Sequence, residues 1–108
     1  MPPTFRRQAV GNYSSYFIPL IRSAEGAMPP EDVKEGGKFL FVVTGDLAGA
    51  TIDLRVKYQG HPEEVIVLGA VPEGAVKEVM LPVGTVVNAA IMGGAPTSVN
   101  VSLILVEA

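Results

Sequence analysis

From Lys38 onward the chain consists of short apolar runs separated by glycine or proline, and this rhythm restricts the fold more than any other feature. Residues 51–58 alternate cleanly, with Ile52, Leu54 and Val56 on one face and polar or charged residues on the other. Because successive side chains of a strand point to opposite faces, this alternation predicts a half-buried β-strand. Further short apolar runs, each a candidate strand, lie at residues 39–44, 65–68, 76–81, 85–92 and 98–106. Short strands at such regular spacing are typical of a sandwich or a barrel.

The composition agrees with an all-β core. Of the 108 residues, 48% are hydrophobic but only 6% are aromatic and none is Trp, so Val, Ile, Leu and Ala must fill most of the core. β-Branched residues favour strands, and this length allows one domain. The best helix candidate, residues 31–34, is one turn at most. The sequence therefore predicts an all-β fold, an antiparallel β-sandwich (jelly-roll or Ig-like) of about six to seven strands over residues 36–108.

Residues 1–35 have a different character and are predicted to form an extended, proline-rich N-terminal arm. They hold five of the nine prolines, and proline removes a backbone hydrogen-bond donor. Residues 13–21 are apolar enough for one short strand or a docking segment, and Pro19 indicates an edge position. Residues 1–22 carry three arginines and no acid, whereas residues 36–108 have a net charge of −3. An arm and a body of opposite charge could attract each other across subunits.

Charge and composition exclude several classes of function. A net charge of −3 is far from the basic balance that binds nucleic acid. The absence of cysteine excludes disulfides and thiolate metal sites. No run approaches the roughly 20 apolar residues that cross a bilayer, so we expect no membrane span. The first residues also lack the apolar stretch of a secretion signal, which indicates synthesis in the cytoplasm.

The sequence shows no catalytic or metal-binding constellation. His61 is the single histidine, and its setting in Gln-Gly-His-Pro is typical of a turn rather than of a catalytic base with a positioned partner. Glu63 and Glu64 are adjacent in the sequence, and Glu73 and Glu78 lie nearby. They lack the alternating Asp/Asn loop of a calcium site, so we interpret them as solvated loop charges. We expect no enzyme activity, no cofactor and no metal.

The candidate partner-binding residues lie in the arm and at the end of the last strand. Tyr13, Tyr16 and Phe17 are aromatic residues on a polar segment, a setting typical of anchors for a partner surface. The equally weighted alternative is that they fold back onto their own sandwich. The apolar residues that follow them in the same segment are Ile18, Leu20 and Ile21. Ile104 and Val106 occupy the otherwise polar outward face of the last strand, which indicates that this end is covered on both sides or lies against a neighbour.

Three stretches of the body carry a resemblance to a known class of proteins. They are the strand entry Gly-Asp-Leu-Ala-Gly-Ala-Thr-Ile at residues 45–52, the turn Leu-Pro-Val-Gly at residues 81–84, and Gly-Gly-Ala-Pro-Thr-Ser-Val-Asn-Val at residues 93–101. In these stretches the chain resembles small β-sandwich accessory proteins of tailed bacteriophage particles, over about residues 38–106. Such proteins decorate or cement the capsid, or form fibre and adaptor pieces.

The resemblance implies a structural virion protein, made in the host cytoplasm and located on the particle. Its expected partners are the major capsid protein or other virion subunits, together with further copies of itself in a homo-oligomer. The alternative is a tail fibre or adaptor piece, or a receptor module that binds glycans. The resemblance implies no cofactor and no catalytic residue.

Overall fold

In a computed structural model the described residues, which are 16–22, 26–27, 29–94, 96 and 98–108, form strands and connecting turns with no helix. This part of the chain thus contains no helix long and apolar enough to cross a membrane. The strands are β1 (Phe17–Arg22), β2 (Gly26–Ala27), β3 (Glu31–Asp32), β4 (Gly37–Asp46), β5 (Thr51–Lys57), β6 (Val65–Val71), β7 (Val76–Leu81), β8 (Val86–Met92) and β9 (Ser98–Glu107).

The strands form two antiparallel sheets that pack face to face. The five-stranded sheet has the order β2-β1-β9-β4-β7, and the four-stranded sheet has the order β3-β8-β5-β6. Apart from the two-residue β2, the pairs are nested: β1 with β9, β3 with β8, β4 with β7, and β5 with β6. Nested pairs that alternate between two sheets define the jelly roll, one of the two sandwich types that the sequence predicts.

The core lies between the two sheets and is aliphatic except at its centre. Phe39 and Phe41 on β4 are fully buried, as are Ile52, Leu54 and Val56 on β5. The alternation predicted for residues 51–58 is therefore confirmed. The six strands predicted in the body correspond to β4 through β9, and β1 is the seventh strand of more than two residues.

The first described segment belongs to the sandwich, which differs from the boundary predicted at residue 35. Strand β1 lies between β9 and β2, and Val33 is buried, with its N–H donating to the carbonyl of Thr85 at 2.8 Å. These residues join the fold because they bring apolar side chains that complete the core. Pro19 sits where β1 has β9 on one side only, since β2 pairs with Ile21 and Arg22 alone. This is the open position that the missing N–H of proline requires.

Candidate interaction surface

The outer face of the five-stranded sheet is built around the central strand β4. The aromatic residues Phe39 and Phe41 point into the core, so Leu40 and Val42 between them point away from it. Leu40 pairs with Ile104 of β9, and Val42 pairs with Ser102. The sheet therefore presents alternate residues of four strands on one external surface.

Strand register places apolar residues from distant parts of the sequence side by side. One row across the sheet runs from Phe17 through Ile104 and Leu40 to Glu78. The next row runs from Pro19 through Ser102 and Val42 to Val76. We call the apolar members of this surface the outer face; they are Phe17, Pro19, Leu40, Val42, Val76, Met80, Ile104 and Val106.

Much of the outer face is open to solvent. Phe17 is 51% exposed, Val76 55%, Met80 65% and Val106 38%, while the residues of the central strands are half-buried by their neighbours. Large apolar side chains that adjoin one another on a surface mark interaction sites, whereas single scattered ones do not. The outer face is therefore the strongest candidate for a functional surface in the described part of the chain.

Polar groups border the outer face at both ends of β4. At its start, the Lys38 ammonium lies 3.4 Å from the Glu107 carboxylate, and both side chains are exposed. At its end, the hydroxyl of Thr44 donates to the carbonyl of Asn100 at 3.4 Å. An apolar centre with a polar rim is the usual anatomy of a protein interface.

The outer surface of the four-stranded sheet is different. The Asp53 carboxylate lies 3.8 Å from the Arg55 guanidinium and accepts a hydrogen bond from the amide of Ala70 at 2.9 Å. Asn88 donates to Glu64 at 2.9 Å. Ile66, which is 55% exposed, stands opposite Arg55. Several polar groups of this surface pair with one another, although the Nε of Arg55 is buried without a hydrogen-bond partner, and the surface presents fewer adjoining apolar side chains.

The structure divides the predicted partner-binding residues into two groups. Phe17, Ile104 and Val106 lie on the outer face. Ile18, Leu20 and Ile21 are instead buried in the core of their own domain. The register shift between Pro19 and Ile21 turns both Leu20 and Ile21 inward. Those three can contact a partner only if β1 leaves the sandwich.

The two predicted tyrosines have different positions. The hydroxyl of Tyr16 accepts a hydrogen bond from the amide of Lys34 at 2.7 Å, and its ring packs edge-on against Phe39 with centroids 6.1 Å apart. Tyr16 is therefore a packing residue of its own sandwich, the alternative considered from the sequence. Tyr13 lies outside the described residues.

Five members of the outer face were not among the predicted partner-binding residues: Leu40, Val42, Val76, Met80 and Pro19. The signal for the first two is the uninterrupted apolar run of residues 39–44, because a strand that is apolar on both faces is expected to be covered on both. No comparable signal marks Val76 and Met80, because Lys77 and Glu78 interrupt the apolar residues of this strand. Their role follows only from the pairing of β7 with β4.

The described residues include no group of three or more His, Cys, Asp or Glu side chains placed to hold a metal ion. His61 closes a turn in which its amide donates to the carbonyl of Tyr58 at 3.0 Å, as the sequence predicts. Glu73 accepts a hydrogen bond from the amide of Leu47 at 2.9 Å. This carboxylate therefore contributes to a loop contact.

One open groove of about 410 Å³ lies beside the turn that contains His61. The residues that line it include Tyr58, the polar residues Lys57, Gln59 and His61, and Gly84 and Val86 of the neighbouring turn and strand. An aromatic ring beside hydrogen-bonding groups is suited to a small polar ligand.

Comparisons with known proteins identify no relative. The chain matches no protein-family model, and neither the curated proteins nor the solved structures give a significant match.

Proposed function

We propose that this chain is a structural protein of a tailed-phage particle, which decorates or cements the capsid by packing the outer face of its five-stranded sheet against virion subunits. The observation that carries the proposal is the apolar outer face itself. Burying adjoining apolar side chains is the main favourable term in protein association. A partner that covers Phe17, Ile104 and Leu40 would remove from water a surface that the isolated domain leaves exposed.

The resemblance and the architecture support the same role. The stretches that resemble phage accessory proteins cover the turn between β4 and β5, the turn between β7 and β8, and the entry to β9. The jelly roll is a frequent architecture of viral capsid domains and of lectins. This is support at the level of fold only, because one fold hosts many functions.

The size of the outer face indicates how the protein would bind. Four strands about 4.8 Å apart and five residues long present roughly 300 Å² in projection. A standard interface buries about 800 Å² on each partner, so the outer face would be the centre of a larger contact. Surrounding loops and the N-terminal residues would supply the rest. Binding of several linked copies to a repetitive lattice would add avidity.

The experiment is co-sedimentation of the purified protein with tailed-phage capsids that lack it. Phe17→Asp and Val106→Asp each place a charge on the outer face, and burying that charge should weaken binding tenfold or more. Ile66→Asp is the matched control, because Ile66 is similarly exposed but lies on the opposite sheet. Equal binding by all three variants, or no binding by the unaltered protein, would contradict the proposal.

A receptor-binding module is the second candidate, and the groove beside Tyr58 favours it. Glycan sites combine an aromatic platform with hydrogen-bonding side chains, as Tyr58 does with Gln59 and His61 here. A glycan array separates the two candidates. Specific glycan binding that Tyr58→Ala abolishes and Phe17→Asp preserves would favour the receptor role over capsid decoration.

A further inference from the structure

Strand β7 ends the five-stranded sheet, and no described strand lies along its outer side. The amide of Val43 donates to the carbonyl of Ala75 at 3.0 Å, so Val43 and Ala75 are a hydrogen-bonded pair. In an antiparallel ladder such pairs alternate with pairs that are not hydrogen-bonded. Lys77 and Val79 therefore direct their backbone groups toward β4, whereas Val76, Glu78 and Met80 direct theirs to the open side. An edge of this kind is a template for a further strand.

The side chains of β7 indicate what the further strand must contain. On the outer face Val76 and Met80 flank a central Glu78. If two copies paired through β7 in the register that matches Val76 with Met80, Glu78 would stand opposite its own symmetry mate. Like charges directly opposite each other destabilise a sheet. The edge instead fits a strand with a basic residue at its centre and an apolar residue two positions away on each side.

The N-terminal sequence contains such a strand. In Phe-Arg-Arg-Gln-Ala, at residues 5–9, Arg7 is flanked two positions away by Phe5 and Ala9. We propose that residues 4–10 of a second copy add to β7 as an antiparallel strand. Placing Arg7 opposite Glu78 then sets Phe5 opposite Met80 and Ala9 opposite Val76. One register thus provides an ion pair and two apolar cross-strand pairs on the same face.

Distance favours a second copy over the same chain as the donor. Phe17 and Glu78 lie in one row, and an added strand would be four strand spacings, about 19 Å, from β1. Val10 is three residues from Arg7, so it would lie about 10 Å along the added strand from the row that contains Phe17 and Glu78. Its link to Phe17 would have to span roughly 22 Å, and seven residues reach about 23 to 25 Å when fully extended. Almost no length would remain for passing over the side chains of the outer face.

The arrangement is head to tail, because each copy donates residues 4–10 and accepts them at β7. Such contacts form rings when the rotation closes. The added strand also widens the sheet next to Val76 and Met80. Assembly through β7 would thereby enlarge the surface available to a further partner.

Cysteine cross-linking in the full chain tests the register. The sequence has no cysteine, so disulfides can form only between introduced cysteines, and the single variants Phe5→Cys and Met80→Cys control for the pairing of like cysteines. Phe5→Cys combined with Met80→Cys should give covalent dimers and larger multimers on non-reducing gels. Arg6→Cys with Met80→Cys is the matched control and should not cross-link, because Arg6 would face the opposite side of the sheet. A disulfide confined to monomers, or equal cross-linking in the control, would overturn the proposal.

A charge exchange tests the same contact by sedimentation velocity. Arg7→Glu and Glu78→Arg should each weaken self-association about fivefold, and the double variant should recover it. Arg6→Glu combined with Glu78→Arg should show no recovery. A protein that is monomeric at every concentration would refute the proposal. The capsid-binding variants lie on β1 and β9, away from β7, so each proposal can fail without the other.

Discussion

Replacement of Ile18 by alanine tests whether β1 is a structural strand of the sandwich or a detachable arm. Ile18 is fully buried and pairs with Leu103 of β9, whereas its neighbour Phe17 is 51% exposed and faces outward. Ile18→Ala removes three buried carbon groups at about 0.8 kcal/mol each, or about 2.4 kcal/mol. The cavity left behind adds to this, so we expect a loss of about 3 kcal/mol in the free energy of unfolding.

The loss is a sizeable fraction of the roughly 5 to 15 kcal/mol that stabilises a typical domain. It corresponds to a fall in Tm of about 12 °C or more. Urea unfolding with linear extrapolation measures it, and an unchanged m-value would show that the amount of surface exposed on unfolding is the same. Phe17→Ala is the matched control and should change stability by about 0.5 kcal/mol or less. A loss below about 0.5 kcal/mol for Ile18→Ala would refute the packing of β1 against the core.

Two further substitutions test local features of the fold. Tyr16→Phe removes the hydroxyl that accepts the hydrogen bond of the Lys34 amide, so it should lower the free energy of unfolding by about 1 kcal/mol and leave capsid binding unchanged. Weaker capsid binding at unchanged stability would mean that Tyr16 is a partner anchor instead. Ala48 adopts a positive φ of 51° in the turn after β4, so Ala48→Asn should raise stability by about 0.5 kcal/mol and Ala48→Val should lower it, both measured by thermal unfolding. The opposite order would contradict the assigned backbone conformation.

Buried and exposed positions of β1 should affect different properties of the protein. Changes at buried positions of β1 act on the fold, and changes at exposed positions act on binding. Phe17 and Ile18 are adjacent in sequence but should affect different assays, because one points to solvent and the other to the core. Measuring both stability and capsid binding for each variant separates a lost partner contact from a damaged domain.

Most of the strands could be predicted from the sequence, because the signal for a strand is local. The alternation in β5 placed Ile52, Leu54 and Val56 in the core, since neighbouring side chains of any extended chain point to opposite sides. Glycine and proline marked the turns for an equally local reason, their restricted or unusual backbone angles. The all-β class, the sandwich and the approximate strand count followed from these signals.

The tertiary structure alone decided the pairing of strands and therefore the candidate site. Leu40 meets Ile104, and Val42 meets Val76, through contacts between segments far apart in the chain, and no local pattern encodes such a register. The same non-local pairing placed β1 inside the sandwich, because the free energy gained by burying Ile18 against β9 depends on a partner strand from the other end of the chain. The sequence determined which residues alternate, and the fold determined which alternating residues share a surface.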